Sequence, residues 1–423
     1  MERIFWIILL VWVIFRITLM SLSLKGNTDP IAKEHVTKFF SEKDIESGKN
    51  YALHGFWVKM ILPFLTIALM VILMKNGTVP AVFNRIEQWA GSDSFWLKNL
   101  LFLLLFTAFL EAISLPFSYY LDFLSEKEFG FSNLTSFQWF LRHIKFLIVG
   151  LVIESAGLMM VLWFFKTFER SWPFIVPIGI TVYGIFITLL FPYLITPLFY
   201  NQKPISDGPL KEKILQIAEK AGITVSGIYE LDESRYSNHT NAYFTGLFSE
   251  KRIVLYDTLI KSHTVDEAAL IFAHEAGHWK HDHVFKGMAM GFVGSFLTCL
   301  LIWWIFPFLQ CEKLFCLKEL YSAQNLPFVY IVFSVFSLFC APMDAQISQY
   351  FERQADMESL KLTGLTKIFI NAEVRLALDN KADLLPHPYR VFWLYSHPPT
   401  IERIAMAENF EKEANTTNSQ NNQ

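Results

Sequence analysis

Charge is scarce in this chain. Asp, Glu, Lys and Arg make up 18% of its 423 residues, where soluble domains carry about a quarter. So few charged groups point away from an ordinary water-soluble protein and toward a membrane. Neither sign dominates: the net charge is -3. There is thus no basic footprint for nucleic acid, which is excluded as a partner. Cysteine is rare too, and four in so long a chain do not make a disulfide framework. No internal repeat is present. No small-residue cleavage site follows the first apolar run, so that run reads as a retained span and not as a removed signal peptide.

What is plentiful is apolar. Hydrophobic residues reach 53%, with 42 Phe, and mean hydropathy is +0.34. A helix needs about 20 apolar residues to cross a bilayer. Five such runs precede residue 200: 4–22, 56–74, 97–115, 146–165 and 174–195. From Pro197 to His283 the sequence turns mixed and globular. Lys211 to Ala221 has an amphipathic helical pattern, and Arg252–Tyr256 reads as a strand. Two further runs follow, 287–306 and 327–342, the second expected to continue into the helix carrying Glu352.

Residues 274–278 read His-Glu-Ala-Gly-His. On a helix His274 and His278 face the same way. Both imidazoles then reach one zinc ion, with Glu275 beside the activated water as general base. Thr264 to Glu267 has a capping-box pattern, and 268–273 contains no helix breaker. Gly277 is costly inside a helix, so it is expected to admit a neighbouring backbone. Five residues alone are only moderately specific. A helix with two surface histidines and a solvated glutamate is the competing reading. His281 and His283 do not share the face of the first pair on a continuous helix, and read as surface residues near the membrane.

A catalytic zinc takes three protein ligands and keeps one open position. Glu352, in Phe-Glu-Arg-Gln-Ala-Asp (351–356), is the candidate for the third. Asp356 follows one turn later, placed to accept a hydrogen bond from the free nitrogen of a ligand histidine. On these residues alone, a solvated charged face of Glu352, Arg353 and Asp356 reads equally well.

Further blocks occur in order: Phe129-Gly-Phe-Ser-Asn133 after Ser125-Glu-Lys127, Thr196-Pro-Leu-Phe-Tyr-Asn201, Asn241-Ala-Tyr-Phe-Thr-Gly246, and Ser396-His-Pro-Pro399 before Glu402-Arg403. With the motif helix and the Glu352 block, this ordered set resembles the type I CAAX prenyl endoproteases, integral-membrane HExxH zinc metallopeptidases. The resemblance runs from the first span to about Ala407. It implies a mainly α polytopic membrane protein of about seven transmembrane helices, with a zincin-like metallopeptidase domain carrying a small β-sheet. The chain then divides into a membrane domain (1–200), a metallopeptidase domain with two further spans (201–410) and a polar tail (411–423) read as disordered. One zinc ion per chain is implied. Asn241, Ala242, Tyr243 and Phe244 would hold a peptide as an added strand. His397 would help stabilise the oxyanion. A plain turn and strand, and a proline-flanked loop histidine, are the respective competing readings. Arg403 would pair with a carboxylate near the site or with the substrate terminus.

Topology offers an independent check. Glu352 can reach His274 and His278 only if an even number of spans separates them, and two do. The positive-inside tendency sets Lys25, Lys33, Lys38, Lys43 and Lys49, on the zinc side, against Arg85, Lys166, Arg170, Lys313 and Lys318 on the other. This directs the zinc domain toward the cytoplasm, in a bacterial inner membrane or an endoplasmic reticulum membrane. Cys311 and Cys316 then lie across the membrane, as a disulfide or as two thiols on equal terms. Partners are the lipid bilayer and a peptide or protein, prenylated for CAAX processing or unmodified for membrane-protein quality control. Transport through Arg16, Lys59, Glu111 and Glu154, or an inactive scaffold, are the alternatives of another class.

Overall fold

The computed structural model describes residues 2–91, 94–246, 251–310 and 317–421. Cys311, Lys313 and Cys316 lie outside the described residues. Within them seven helices are long and apolar enough to cross a membrane: Arg3–Ser23, Glu42–Lys75, Phe95–Glu128, Ser136–Thr167, Trp172–Phe199, His283–Gln310 and Ala323–Thr363. Each contains one of the apolar runs of the sequence and extends past it. The seventh is 41 residues long, about 60 Å at 1.5 Å per residue, twice the hydrocarbon thickness of about 30 Å. Pro342 sits inside it without ending it, and so the apolar run and Glu352 share one helix.

The outward faces of the spans are apolar. Phe333 is 70% exposed and Trp304 65%, as suits contact with lipid tails. Inside the bundle, Trp12, Met70, Phe83 and Ile331 pack together. Some ionisable groups at membrane depth have partners: Arg16 donates to the Lys59 carbonyl, and His143 lies 2.6 Å from Glu111.

The metallopeptidase domain is built on a four-stranded sheet of order β1-β2-β4-β3, with β1 Gln202–Pro204, β2 Gly227–Leu231, β3 Ala242–Thr245 and β4 Arg252–Tyr256. The β2–β4 pair is parallel; the other two pairs are antiparallel. The motif helix, Val265–Lys280, begins at a formed capping box between Thr264 and Glu267. It lays Ala269, Phe272, Ala273 and Ala276 against Ile253 and Leu255, and the helix Pro209–Lys220 adds Ile214 and Ile217. The C-terminal helix, Thr400–Asn421, continues through the stretch expected to be disordered. No Gly or Pro interrupts it after Thr400, and a nucleated helix gains one hydrogen bond per residue added.

Two sets of contacts separate the ends of the bundle. The segment between the first two spans packs on the metallopeptidase domain, with His35 3.1 Å from Glu408 and Val36 and Phe40 clustered with Leu384 and Ile404. At the other end, Lys98 and Lys318 lie 2.6 and 3.6 Å from Glu87.

The motif helix meets the seventh span at Gly277. A Cβ there would stand 2.8 Å from Ala355 Cα and 2.9 Å from its carbonyl oxygen. Both are backbone atoms and cannot step aside. Gly277→Ala is expected to destabilise the protein by about 1–3 kcal/mol through overpacking, against a gain of about 1 kcal/mol in helix propensity. Thermal unfolding in detergent reads the net sign, and a variant as stable as wild type would show that the helices have room.

Candidate metal centre

One turn apart on the motif helix, His274 and His278 bring their Nε2 atoms to 3.2 Å. The seventh span delivers Glu352 between them. Its Oε2 lies 3.2 Å from His274 Nε2, and its Oε1 3.3 Å from His278 Nε2. Around a tetrahedral zinc with bonds of about 2.0–2.1 Å, neighbouring ligand atoms sit about 3.3–3.4 Å apart. The two imidazole nitrogens stand at about such a spacing, and each faces one oxygen of Glu352 at a similar distance.

Proton positions point the same way. His274 Nδ1 lies 2.7 Å from Asp356 Oδ1, a carboxylate that can only accept, so the His274 proton is on Nδ1 and a lone pair on Nε2. Glu352 is 6% exposed, and its Oε2 makes no directed hydrogen bond despite the nearby imidazole. Lone pairs face lone pairs there, an arrangement that calls for a cation. Two imidazoles and one carboxylate with room for a fourth ligand form a donor set that suits zinc.

Beneath the ligands lies a buried charge network. Arg403, from the C-terminal helix, donates through Nε to Asp356 Oδ2 at 2.8 Å, and a terminal nitrogen bonds Oδ1 of the same carboxylate. Its other terminal nitrogen lies 2.8 Å from Glu373 Oε2. Asp356 and Glu373 are both buried. Burial pushes the Glu373 carboxyl above the usual carboxylate range, and Arg403 opposes that shift. The guanidinium is thus committed to these two acids.

Glu275 is held at the side of the centre. The Phe244 backbone N–H lies near enough to favour its ionised form. Burial raises its pKa, and the neighbouring His274 and His278 oppose that shift. β3 is an edge among the described strands, paired with β4 on one side only. Its side chains alternate as the pleat demands. Ala242 is buried, and Phe244 packs on Phe272 and Trp279 with ring centroids 5.6 and 6.3 Å away. Only the backbone of these two is left for an incoming strand. Asn241 is exposed, and Tyr243 faces Tyr256. His397 stands on a loop with its Nε2 3.5 Å from Glu352 Oε1 and its Nδ1 2.8 Å from Ser396 Oγ. A cavity of about 620 Å³ joins Asn241, His397 and Arg403.

Three neighbours of the centre were not evident from the sequence. His283, expected at the surface, is buried against His278 at 3.0 Å. The motif helix stops at Lys280, and Asp282 takes a left-handed φ of 56° before the next helix starts. That turn resets the helical phase, so face counting past Lys280 fails. Gln349 is also buried, and its amide donates to the carbonyls of Val391 and Tyr395 at 3.0 and 2.9 Å, just before the His397 loop. Its spacing of three from Glu352 was the available signal. Glu373, the second acid on Arg403, carried no signal at all.

The first 200 residues and the remainder match two family models. Residues 23–201 match the CAAX prenyl protease N-terminal model, described as five membrane helices, and residues 204–411 match peptidase family M48. CAAX prenyl protease 1 of Saccharomyces cerevisiae is 30% identical over 352 residues, covering 79% of this chain and 76% of the relative. A Bacillus subtilis protein, described as uncharacterized metalloprotease YhfN, is 26% identical over 362 residues, 84% of each chain. The crystal structure of S. mikatae Ste24p superposes with a TM-score of 0.81 at 25% identity, covering 95% of this chain and 98% of that one.

Removing one member of a buried charge network leaves its partners uncompensated, at a cost of about 3–5 kcal/mol. Arg403→Met is expected to lower stability by that amount in denaturant unfolding. Arg403→Lys should recover little, because one ammonium does not supply the guanidinium fork to both acids. Wild-type stability in Arg403→Met would contradict the network.

Proposed function

The chain belongs to peptidase family M48, as a multi-pass membrane metallopeptidase similar to CAAX prenyl protease 1, and on that premise we propose that it is a zinc endopeptidase that processes prenylated CAAX-type C termini. The observation that carries this reading is the convergence of three lone-pair donors, His274, His278 and Glu352, at tetrahedral edge distances beside an open strand edge. Zinc held by these residues would polarise the scissile carbonyl and make water a nucleophile near neutral pH.

This chain's own residues supply the rest. A peptide aligns along β3 by backbone hydrogen bonds, with Asn241 and Tyr243 outside the packed core to contact its side chains. The Phe244 backbone N–H favours the ionised Glu275 carboxylate beside the strand. Glu275 takes the proton of the attacking water and returns it to the leaving amine. Ser396 Oγ lies 2.8 Å from His397 Nδ1, and where it donates there His397 carries its proton on Nε2 for the developing oxyanion. Asp356 fixes the tautomer of His274.

The relatives' names support the prenylated substrate. The Bacillus subtilis relative is described only as a metalloprotease, and it supports a second reading, quality control of membrane proteins with no prenyl requirement. The lysine-rich segment between the first two spans lies on the metallopeptidase side, which supports a cytoplasmic orientation.

The test compares detergent-purified wild type, Glu275→Gln and His274→Ala on a prenylated CAAX peptide and its unprenylated twin. Glu275→Gln is expected to keep one zinc per chain and lose about 10²–10⁴-fold in kcat. His274→Ala is expected to lose the metal as well. Equal cleavage of both peptides favours the quality-control reading. Full activity in Glu275→Gln would overturn the mechanism.

A further inference from the structure

We infer that His283 and Gln354 form a proton-fixing relay that positions His278 as a metal ligand. The inference rests on the reading that His274, His278 and Glu352 hold the metal. His283 opens the sixth span and is 6% exposed. Its Nδ1 lies 3.0 Å from His278 Nδ1. Two imidazole nitrogens at that distance share one proton; with two protons they repel, and with none there is no bond. The other side of the ring decides which nitrogen carries it. His283 Nε2 is 3.0 Å from Gln354 Oε1, an atom that only accepts. The other end of the amide, Nε2, reaches the Tyr350 hydroxyl at 3.2 Å.

With the Gln354 amide as it stands, its oxygen toward His283, the chain of protons has one solution. Gln354 Oε1 takes the proton of His283 Nε2–H. His283 Nδ1 is left with a lone pair and accepts from His278 Nδ1–H. His278 Nε2 keeps its lone pair and faces the centre, 3.3 Å from Glu352 Oε1. The ring of His283 cannot turn freely, because it stacks on Phe351 at 4.1 Å and 10° between planes. Phe351 precedes Glu352, and Gln354 follows it by two. The stretch that supplies the third ligand therefore also orients the second, through a residue of a different span.

The two ligand histidines are thereby held unequally. His274 leans on the anionic Asp356, balanced by Arg403. His278 leans on a neutral imidazole, which orients it without adding charge. His283 is a positioning residue: it acts through His278.

The experiment uses the full-length protein in detergent with zinc, and with cobalt as a spectroscopic probe. Metal affinity is measured by competition with a chelator for wild type, His283→Phe, His283→Asn and Gln354→Leu, and thermal unfolding of each metal-free protein checks the fold. His283→Phe keeps a ring on Phe351 but offers His278 no acceptor. It should lose about 10–100-fold in zinc affinity, the usual effect of removing such a partner, and shift the cobalt absorption. His283→Asn puts an oxygen near the former Nδ1 position and should recover most of that loss. Gln354→Leu frees the His283 proton to move to Nδ1 and should weaken binding by about tenfold; it decides the matter if His283→Phe does not fold. Wild-type affinity and absorption in His283→Phe and Gln354→Leu would overturn the relay, as would an Asn variant no better than the Phe variant. A wild type that binds neither metal would instead bring down the zinc reading itself.

Discussion

The contact between the backbones of Gly277 and Ala355 is the constraint on which the centre depends. Helices are stiff, so closing two of them at one point sets the height of every neighbouring side chain. Gly277 lies next to His278, and Ala355 lies between Glu352 and Asp356. The approach at Gly277 therefore brings Glu352 to both imidazoles and Asp356 to the back of His274. Carbon atoms in ordinary contact need about 3.5–4.0 Å, roughly 1 Å more than a Cβ at 277 would find. Metal–ligand distances tolerate about 0.2 Å. The absence of one methyl group thus lets the two helices close to the distance that brings Glu352 to the imidazoles.

Charge is the second organising theme. A row of alternating charge runs from Glu373 through Arg403 to Asp356, which accepts in turn from the neutral His274. Each buried charge is costly unless its neighbour has the opposite sign. The row ends at the place where Glu352 needs a positive partner. This also explains why the C-terminal region belongs to the site. It contributes Arg403 directly, and Gln349 ties down the carbonyls of Val391 and Tyr395 that lead to His397. At that helix end the Val391 carbonyl, which also accepts from the Tyr395 N–H, and the Tyr395 carbonyl share the Gln349 amide as donor.

Much of this was legible beforehand, and the exceptions have physical causes. The spans were readable because a bilayer demands about 20 apolar residues at a stretch, whatever the tertiary fold. The motif helix was readable because its cap and its i, i+4 histidines are local. Ala242 and Phe244 lie on an edge strand, but the pleat turns their side chains toward the core, a distinction that needs the position of the motif helix. His283 was misplaced because helical counting assumes an unbroken helix, and Asp282 breaks it with one left-handed residue.

Taken alone, the sequence determined the local features: seven apolar helices, the strand Arg252–Tyr256, the capped helix with its two histidines, and the glycine that lets another backbone approach. Periodicity and capping act over a few residues, and a single chain displays them directly. Only the tertiary structure decided between Glu352 as part of a solvated charged face and Glu352 as a buried partner of two imidazoles. The same holds for the acids that claim Arg403 and for the relay through His283 and Gln354. Glu352 lies 74 residues beyond His278 along the chain, and nothing local records that distance being closed. What closes it is the packing of two helices against each other, a property of the whole fold.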